Sequence, residues 1–308
     1  MIFREYALDP AALDSWDVFK DITNRFGFEH GRLISRFPEK WEKEVLKACG
    51  DLGDVEKKKI ALRLRQFGRQ KLVDFDRTFN AKVTWLNNAL KEHKRQPFQA
   101  IIADHSKTKR KDIISPTDVE ETHPLIRIGR GGQVQRKAEE LAECCQLLLE
   151  NSTEVILVDP YFDPSRRKWT RPLGHFLMGA EKGRTLSRFE YHLKAHAAGS
   201  WFSDECQRQF SKNLSAHSEV RFLLWEDEDD PLDLHSRLVL TDVGVMTIDR
   251  GLDEDPEGNT LVTLLNDVER EDLWDFYAKR QNKYHLIDEI VVTQGGAKVV
   301  KGKAKQKK

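Results

Sequence analysis

The chain of 308 residues has no apolar run long enough to cross a bilayer, because runs such as residues 155–158 are far too short. The amino terminus carries charges at Arg4 and Glu5, where a signal peptide would be apolar. We therefore expect a cytoplasmic protein.

An excess of either charge is also lacking, since 51 Lys and Arg residues balance 51 Asp and Glu residues. A nucleic-acid partner can then be argued only from local patches of charge. Basic residues gather at 57–71, at 107–111 and at 298–308. These patches predict a nucleic-acid partner, with the surface of an anionic membrane as the alternative.

Cysteine is scarce, and the four residues present, Cys49, Cys144, Cys145 and Cys206, show no spacing typical of zinc ligands. The sequence also contains no H-E-x-x-H motif. We expect buried thiols, no metal and no cofactor.

The pattern of apolar and polar residues changes at about residue 130. Before it, apolar residues recur at helical spacing in four segments, 13–25, 39–49, 55–72 and 79–93, and one short strand is predicted at 98–103. This pattern predicts a mainly helical domain over residues 1–130. The domain contains no catalytic constellation, so we expect it to recruit or regulate.

Residues 131–292 alternate between helical and extended patterns. We expect an α/β domain with a mixed, largely parallel sheet that helices cover on both faces. Residues 293–308 are predicted to form a disordered basic tail. The predicted helices span about 134–150, 173–181, 204–214 and 267–282, and the predicted strands span 154–158, 186–194, 220–225, 235–241, 245–248 and 260–265.

One apolar strand carries a histidine and a cation two positions apart, followed by an acid. His235 and Arg237 share one face of an extended strand, and Asp242 lies on the other. Attack on a phosphodiester needs a nucleophile beside a fixed positive charge for the oxygens that become negative. This strand is therefore the predicted site of phosphodiester chemistry.

The motif resembles the H-x-K-x4-D signature of the phospholipase D superfamily, with arginine in place of lysine. The segment from about 134 to 290 looks like one repeat of that family, with Asp159-Pro160-Tyr161 at a strand end and Gly251-Leu252-Asp253 after the motif. It is similar to the single-motif branch, which includes the domain that follows MIT domains in eukaryotes and many bacterial conflict-type proteins. The usual Gly-Ser-x-Asn is replaced here by residues 250–253.

The resemblance implies a phospholipase D-like sheet and a metal-independent phosphodiesterase, expected to be a nuclease effector of a bacterial defence system that acts with partner proteins of the same operon. It implies that His235 forms a phosphohistidine and that Arg237 holds the phosphate oxygens. Asp242 is expected to brace the backbone, and Asp253 or Glu254 to fix the tautomer of the histidine. Asp159 and Tyr161 are candidate substrate-binding residues. The alternative is a non-catalytic module that binds phosphate groups of lipid or nucleic acid.

Cleavage also needs an acid to protonate the leaving oxygen. A homodimer would provide it by placing two copies of His235 across a two-fold axis. Within one chain, His192 is the next candidate, because a neighbouring predicted strand places it on a polar face with Glu190 and Lys194. Glu190 and Lys194 are themselves candidate substrate-binding residues. The segment from His105 to Asp112 also matches the motif letter by letter, but its basic interior is typical of a solvated loop.

Overall fold

The computed structural model describes residues 2–104, 110–195, 200–216, 218–226, 236–282 and 284–301. The chain divides into two compact units, Met1–Arg130 and Gly131–Lys308, here called unit 1 and unit 2. No helix of the described residues is long and apolar enough to cross a membrane.

Unit 1 is built around a parallel sheet of five short strands in the order β3-β2-β1-β4-β5. From β1 the chain adds β2 and then β3 on one side, and it later adds β4 and then β5 on the other side of β1. The elements are β1 Arg4–Leu8, α1 Trp16–Thr23, β2 Arg32–Ser35, α2 Trp41–Ala48, α3 Asp54–Lys71, β3 Leu72–Val73, α4 Trp85–Arg95, β4 Ala100–Ile102 and β5 Ile113–Ile114.

The four helices predicted for unit 1 are present, but a mainly helical domain is wrong, because a sheet lies at its centre. Hydrophobic side chains cover both faces of that sheet. Tyr6 and Ile34 belong to one core cluster, while Ala7 and Ile101 belong to another. Strands buried on both faces lose the alternating pattern. Strands of two to five residues were therefore missed, apart from β4.

Unit 2 contains a sheet of nine strands in the order β14-β13-β9-β8-β7-β10-β11-β12-β6. Only the pairs β7–β8 and β8–β9 are parallel among the pairings described, so the prediction of a largely parallel sheet is wrong. The elements are β6 Gly131–Arg136, α5 Ala138–Asn151, β7 Glu154–Val158, α6 Arg167–Lys182, β8 Arg188–Lys194, α7 Ser200–Phe210, β9 Glu219–Glu226, β10 Leu238–Thr241, β11 Val245–Ile248, β12 Asp255–Leu264, α8 Asp267–Leu273, a π-helical turn Trp274–Ala278, β13 His285–Thr293 and β14 Gly296–Lys301.

The two faces of this sheet pack against different helices. On the α8 face, Val158 and Leu238 share a core cluster with Tyr277 of the π-helical turn. On the opposite face, which we call the α5–α7 face, Cys145 of α5 lies 3.6 Å from the sulfur of Met246. Both faces of the central strands are thus covered, as the sequence predicted for an α/β domain.

The prediction of a disordered tail from residue 293 is wrong for its first part. Thr293 pairs with Gly296, so Gln294 and Gly295 form a two-residue hairpin loop that joins β13 to β14. A glycine pair between two runs that contain valine, 291–293 and 297–300, is a hairpin signal, which the prediction of a disordered tail overlooks. Residues 302–308 lie outside the described residues.

A chain that ends at Thr293 should be less stable than a chain that ends at Lys301. The first lacks the six residue pairs between β13 and β14 and the hydrogen bond from Ala297 N to Gln207 Oε1. The expected loss in the free energy of unfolding is about 2 kcal/mol, measured by urea denaturation. Equal stability of the two truncated chains would contradict the hairpin.

Candidate functional site

The pairing of β7 with β10 places one end of each strand at the centre of the candidate site. The strands are antiparallel, with Leu238 opposite Val158, so the residue after β7 lies beside the residue before β10. Those residues are Asp159 and Arg237. Side chains alternate between the faces of a strand, so both belong to the α5–α7 face rather than to the α8 face of Val158 and Leu238.

Arg237 is a half-buried cation with an aromatic neighbour. Its guanidinium carbon lies 5.3 Å from the centre of the Tyr161 ring, which is 42% exposed. Its Nη1 is 3.5 Å from the carbonyl oxygen of Asp249. It also borders an open cleft of about 330 Å³ that extends over the α8 face, where Leu238, Leu265 and Leu273 line it. A guanidinium placed in this way can meet a ligand while the ring limits its freedom.

Asp159 is fully buried and joins two loops. Its Oδ1 accepts a hydrogen bond from Tyr161 N (3.1 Å), and its Oδ2 accepts one from Leu252 N (2.8 Å). Burial raises the pKa of Asp159 to about 6, against the lowering effects of these two N–H groups and of Arg237. The charge of Asp253 adds to the rise. Asp159 thus holds the two loops together, and its pKa lies close to neutral pH.

Gly251 occupies the point where the side chains converge. Its φ is +108°, a conformation that residues with a Cβ rarely adopt. A Cβ built there would lie 3.0 Å from Asp159 Oδ2, 3.1 Å from Asp253 Oδ1 and 3.4 Å from Arg237 Cδ. The Gly251-Leu252-Asp253 segment therefore closes on the Asp159 and Arg237 side chains with no room for a larger residue.

Two cations that sequence reasoning missed hold Asp253. Arg136 Nη2 donates to Asp253 Oδ1, and Lys168 Nζ donates to Asp253 Oδ2 at 2.9 Å. Arg136 ends β6, where the sequence suggested the start of a helix, and Lys168 lies in the first turn of α6, before the predicted start of that helix. No periodic pattern marks either residue as part of the site.

Tyr191 is a third missed residue. Its hydroxyl is buried and has no hydrogen-bond partner in the part of the chain that the structure describes. Burial raises its pKa well above the ordinary value, and the charges of Asp159 and Asp253 raise it further. These two charges show that Tyr191 belongs to the same neighbourhood as the carboxylates.

Glu190 and His192 lie on the other face of β8, so the structure does not bring them to Arg237. The Nε2 of His192 is 3.0 Å from Glu190 Oε2, and its Nδ1 accepts a hydrogen bond from Trp225 Nε1 at 3.2 Å. Burial lowers the pKa of His192 and favours the neutral ring, against the opposing effect of Glu190. Both ring nitrogens are engaged, which corrects the interpretation of His192 as a proton donor at the site.

Two other predicted residues, Asp242 and Lys194, lie at strand ends. Asp242 is at the far end of β10, where its carboxylate accepts from Thr153 N (3.0 Å), Glu154 N (3.3 Å) and Thr153 Oγ1 (2.8 Å). It therefore braces the backbone there. Lys194 ends β8, and its backbone N–H donates to Pro160 O at 3.3 Å. Its main chain is thus tied to the loop that carries Tyr161.

His235 lies outside the described residues, as do residues 105–109, which include His105. The role of His235 as nucleophile therefore stays a prediction. Among the residues that are described, no group of three or more His, Cys, Asp or Glu side chains is arranged to hold a metal ion.

Comparisons with known proteins do not identify a family for this chain. No family model matches the chain, and no curated protein matches it. Among solved structures, the chain is similar to TrmBL2, an archaeal chromatin protein described as showing a novel mode of DNA binding, with a TM-score of 0.27 and 14% identity. The match covers 54% of this chain and 56% of that one, so the chain spans about half of that protein's length. A likeness at this TM-score carries no argument.

The raised pKa of Asp159 predicts a specific dependence of stability on pH. The carboxyl group should titrate near 3.8 in the unfolded chain and at about 6 in the folded chain. Between these values the folded state binds the extra proton, so the contribution of Asp159 to stability falls as the pH rises from about 4 to about 6 and is then constant. The loss is about 3 kcal/mol at 1.36 kcal/mol per pKa unit.

Asp159→Asn cannot titrate and should lack this fall when urea denaturation is repeated across the pH range. If the free energies of unfolding of the wild type and the variant run parallel from pH 4 to pH 7, the pKa of Asp159 is not raised.

Proposed function

We propose that unit 2 is a metal-independent phosphodiesterase of phospholipase D type, with its site on the α5–α7 face at the strand ends beside Arg237. One observation carries the proposal. Residues from three separate segments, Asp159 with Tyr161, Arg237, and Gly251 with Asp253, meet around a single glycine. The sequence marked Arg237 through the chemistry of a phosphodiester, and the other two segments through the resemblance to the phospholipase D superfamily.

In the proposed first step, a ring nitrogen of His235 attacks phosphorus. A P–N bond forms, the P–O bond to the leaving group breaks, and the leaving oxygen takes a proton from a general acid. Water then attacks the phosphohistidine, the P–N bond breaks, and the same acid, now a base, accepts the proton of the water. Arg237 binds the non-bridging oxygens, whose charge grows in both steps.

Asp253 is proposed to orient the imidazole of His235. A carboxylate has about four acceptor positions, so the hydrogen bonds from Arg136 and Lys168 leave capacity for one from the histidine. The two cations also fix the carboxylate in place, as partners of a positioning acid do in other nucleophile sites.

The general acid is proposed to be His235 of the partner subunit in a homodimer. Because His192 is engaged on the α8 face, it does not supply the proton within the chain. A two-fold axis through the site makes the two copies of His235 equivalent, so one attacks while the other protonates.

The substrate class proposed is nucleic acid, and the context, which rests on the resemblance alone, is a bacterial defence system. The second candidate is a non-catalytic module that binds phosphate groups of lipid or nucleic acid. The engagement of His192 favours it, since a site without a second histidine binds phosphate but lacks the proton donor.

The test incubates wild-type, His235→Ala, Arg237→Ala and Arg184→Ala proteins with plasmid, single-stranded DNA and RNA in excess EDTA, and native mass spectrometry gives the oligomeric state. Arg184 is an exposed arginine between α6 and β8, away from the strand ends of the site, and serves as the matched control. We expect cleavage by the wild type and Arg184→Ala as dimers, a loss of at least about a hundredfold for Arg237→Ala, and no cleavage by His235→Ala.

Equal cleavage by the wild type and His235→Ala would overturn the proposed mechanism, and an active monomer would overturn the shared site. If no substrate is cleaved but anionic vesicles or nucleic acid bind and Arg237→Ala weakens that binding, unit 2 is the phosphate-binding module.

A further inference from the structure

The longest helix of unit 1 has a large surface that the rest of the unit does not cover. The helix α3 runs for 18 residues from Asp54 to Lys71. Ile60 and Leu64 pack into the core, and Lys71 Nζ donates to the carbonyls of Thr23 and Phe26. These contacts fix the rotation of the helix and therefore determine which side chains face outward.

The outward side forms a stripe whose members are uncharged or basic, and the exposed acid Asp54 lies beside it at the start of the helix. The members of the stripe recur at intervals of three and four positions, which places them on one face of a helix. We call it the basic stripe; all of its members are exposed, and they are Val55, Lys58, Leu62, Arg65, Gln66 and Arg69.

Neighbouring cations on the flanks of α3 make contacts within unit 1. Lys59 Nζ lies 5.7 Å from the centre of the Trp16 ring, and Arg63 Nη2 donates to Asn24 Oδ1 at 2.8 Å. Both partners belong to α1 or its end. These flank contacts hold α3 against α1 and leave Lys58 and Arg65 pointing away from the unit.

The two apolar members are unusually open, with Leu62 58% exposed and Val55 67% exposed. They lie seven residues apart, about two turns, so they form no continuous apolar strip of the kind that enters a lipid interface. Lys58 and Arg65 are also seven residues apart, about 10 Å along the axis. Three phosphate steps of one strand of a nucleic-acid duplex span roughly the same length.

We propose that the basic stripe is a docking surface for the phosphate backbone of double-stranded nucleic acid. The charge is complementary, and the long side chains of Lys58 and Arg65 suit contacts that position a duplex without reading its sequence. That the bound duplex is also the substrate of unit 2 rests on the proposed function, whereas the docking surface itself does not.

The experiment compares two charge reversals in the full chain, each of which changes the net charge equally. The test variant is Lys58→Glu with Arg65→Glu, and the control is Lys91→Glu with Lys94→Glu, two exposed lysines of α4. Both are made with Arg237→Ala to slow cleavage, and binding to a 20-base-pair DNA duplex is measured at several salt concentrations. Circular dichroism checks that both variants are folded.

We expect the test variant to bind the duplex at least about tenfold more weakly than the Arg237→Ala parent, with the slope of log K against log salt reduced by about 1.8. The control should keep most of the affinity and slope. Equal losses in both variants, no loss in either, or binding of phosphatidylserine vesicles but not of the duplex would each overturn the proposal.

A second readout separates this proposal from the enzymatic one. With Arg237 intact, Lys58→Glu with Arg65→Glu should hydrolyse bis(p-nitrophenyl) phosphate at the wild-type rate, because this substrate is too small to need the stripe. If the wild type does not hydrolyse it but binds the duplex through the stripe, the enzymatic proposal fails and the docking surface remains.

Discussion

The candidate site depends on the buried carboxylate of Asp159. Two backbone N–H groups, from Tyr161 and Leu252, donate to its two oxygens and tie the end of β7 to the loop after β11. That loop approaches closely because Gly251 has no side chain, and the antiparallel pairing of β10 with β7 then brings Arg237 against the same point. The carboxylate carries a raised pKa because it is enclosed in this way. The close approach of the two loops and the raised pKa of Asp159 thus both follow from the burial of this carboxylate.

The α5–α7 face and the α8 face of unit 2 divide the polar groups between two roles. Arg136, Lys168 and Asp253 form a charged cluster next to Gly251, the residue that Asp159 and Arg237 also approach. Glu190 and His192 form a buried network with Trp225 under the π-helical turn. A buried network whose hydrogen bonds are all satisfied fixes the packing of the core. By contrast, the half-exposed guanidinium of Arg237 beside the exposed ring of Tyr161 is suited to binding a ligand.

Sequence reasoning located the site through local motifs and failed where long-range register decides. Asp159, Tyr161, Arg237 and Asp253 were predicted because short patterns mark them, and the structure brings them together. Alternation correctly placed Glu190, His192 and Lys194 on one face of β8, but only the pairing of β8 with β7 reveals that Tyr191 faces the site. Arg136 was missed because β6 pairs with β12, more than a hundred residues later. The sheet of unit 1 was missed because its strands are short and buried on both faces.

The central claim is that the strand ends around Arg237 carry out chemistry through His235. The most direct measurement is to quench a reaction with a nucleic-acid substrate at alkaline pH, where phosphohistidine survives, and to map covalent adducts on peptides by mass spectrometry. We expect a phosphoramidate on His235 that is strongly reduced in Arg237→Ala. Turnover with no adduct, or an adduct on another residue, would contradict it.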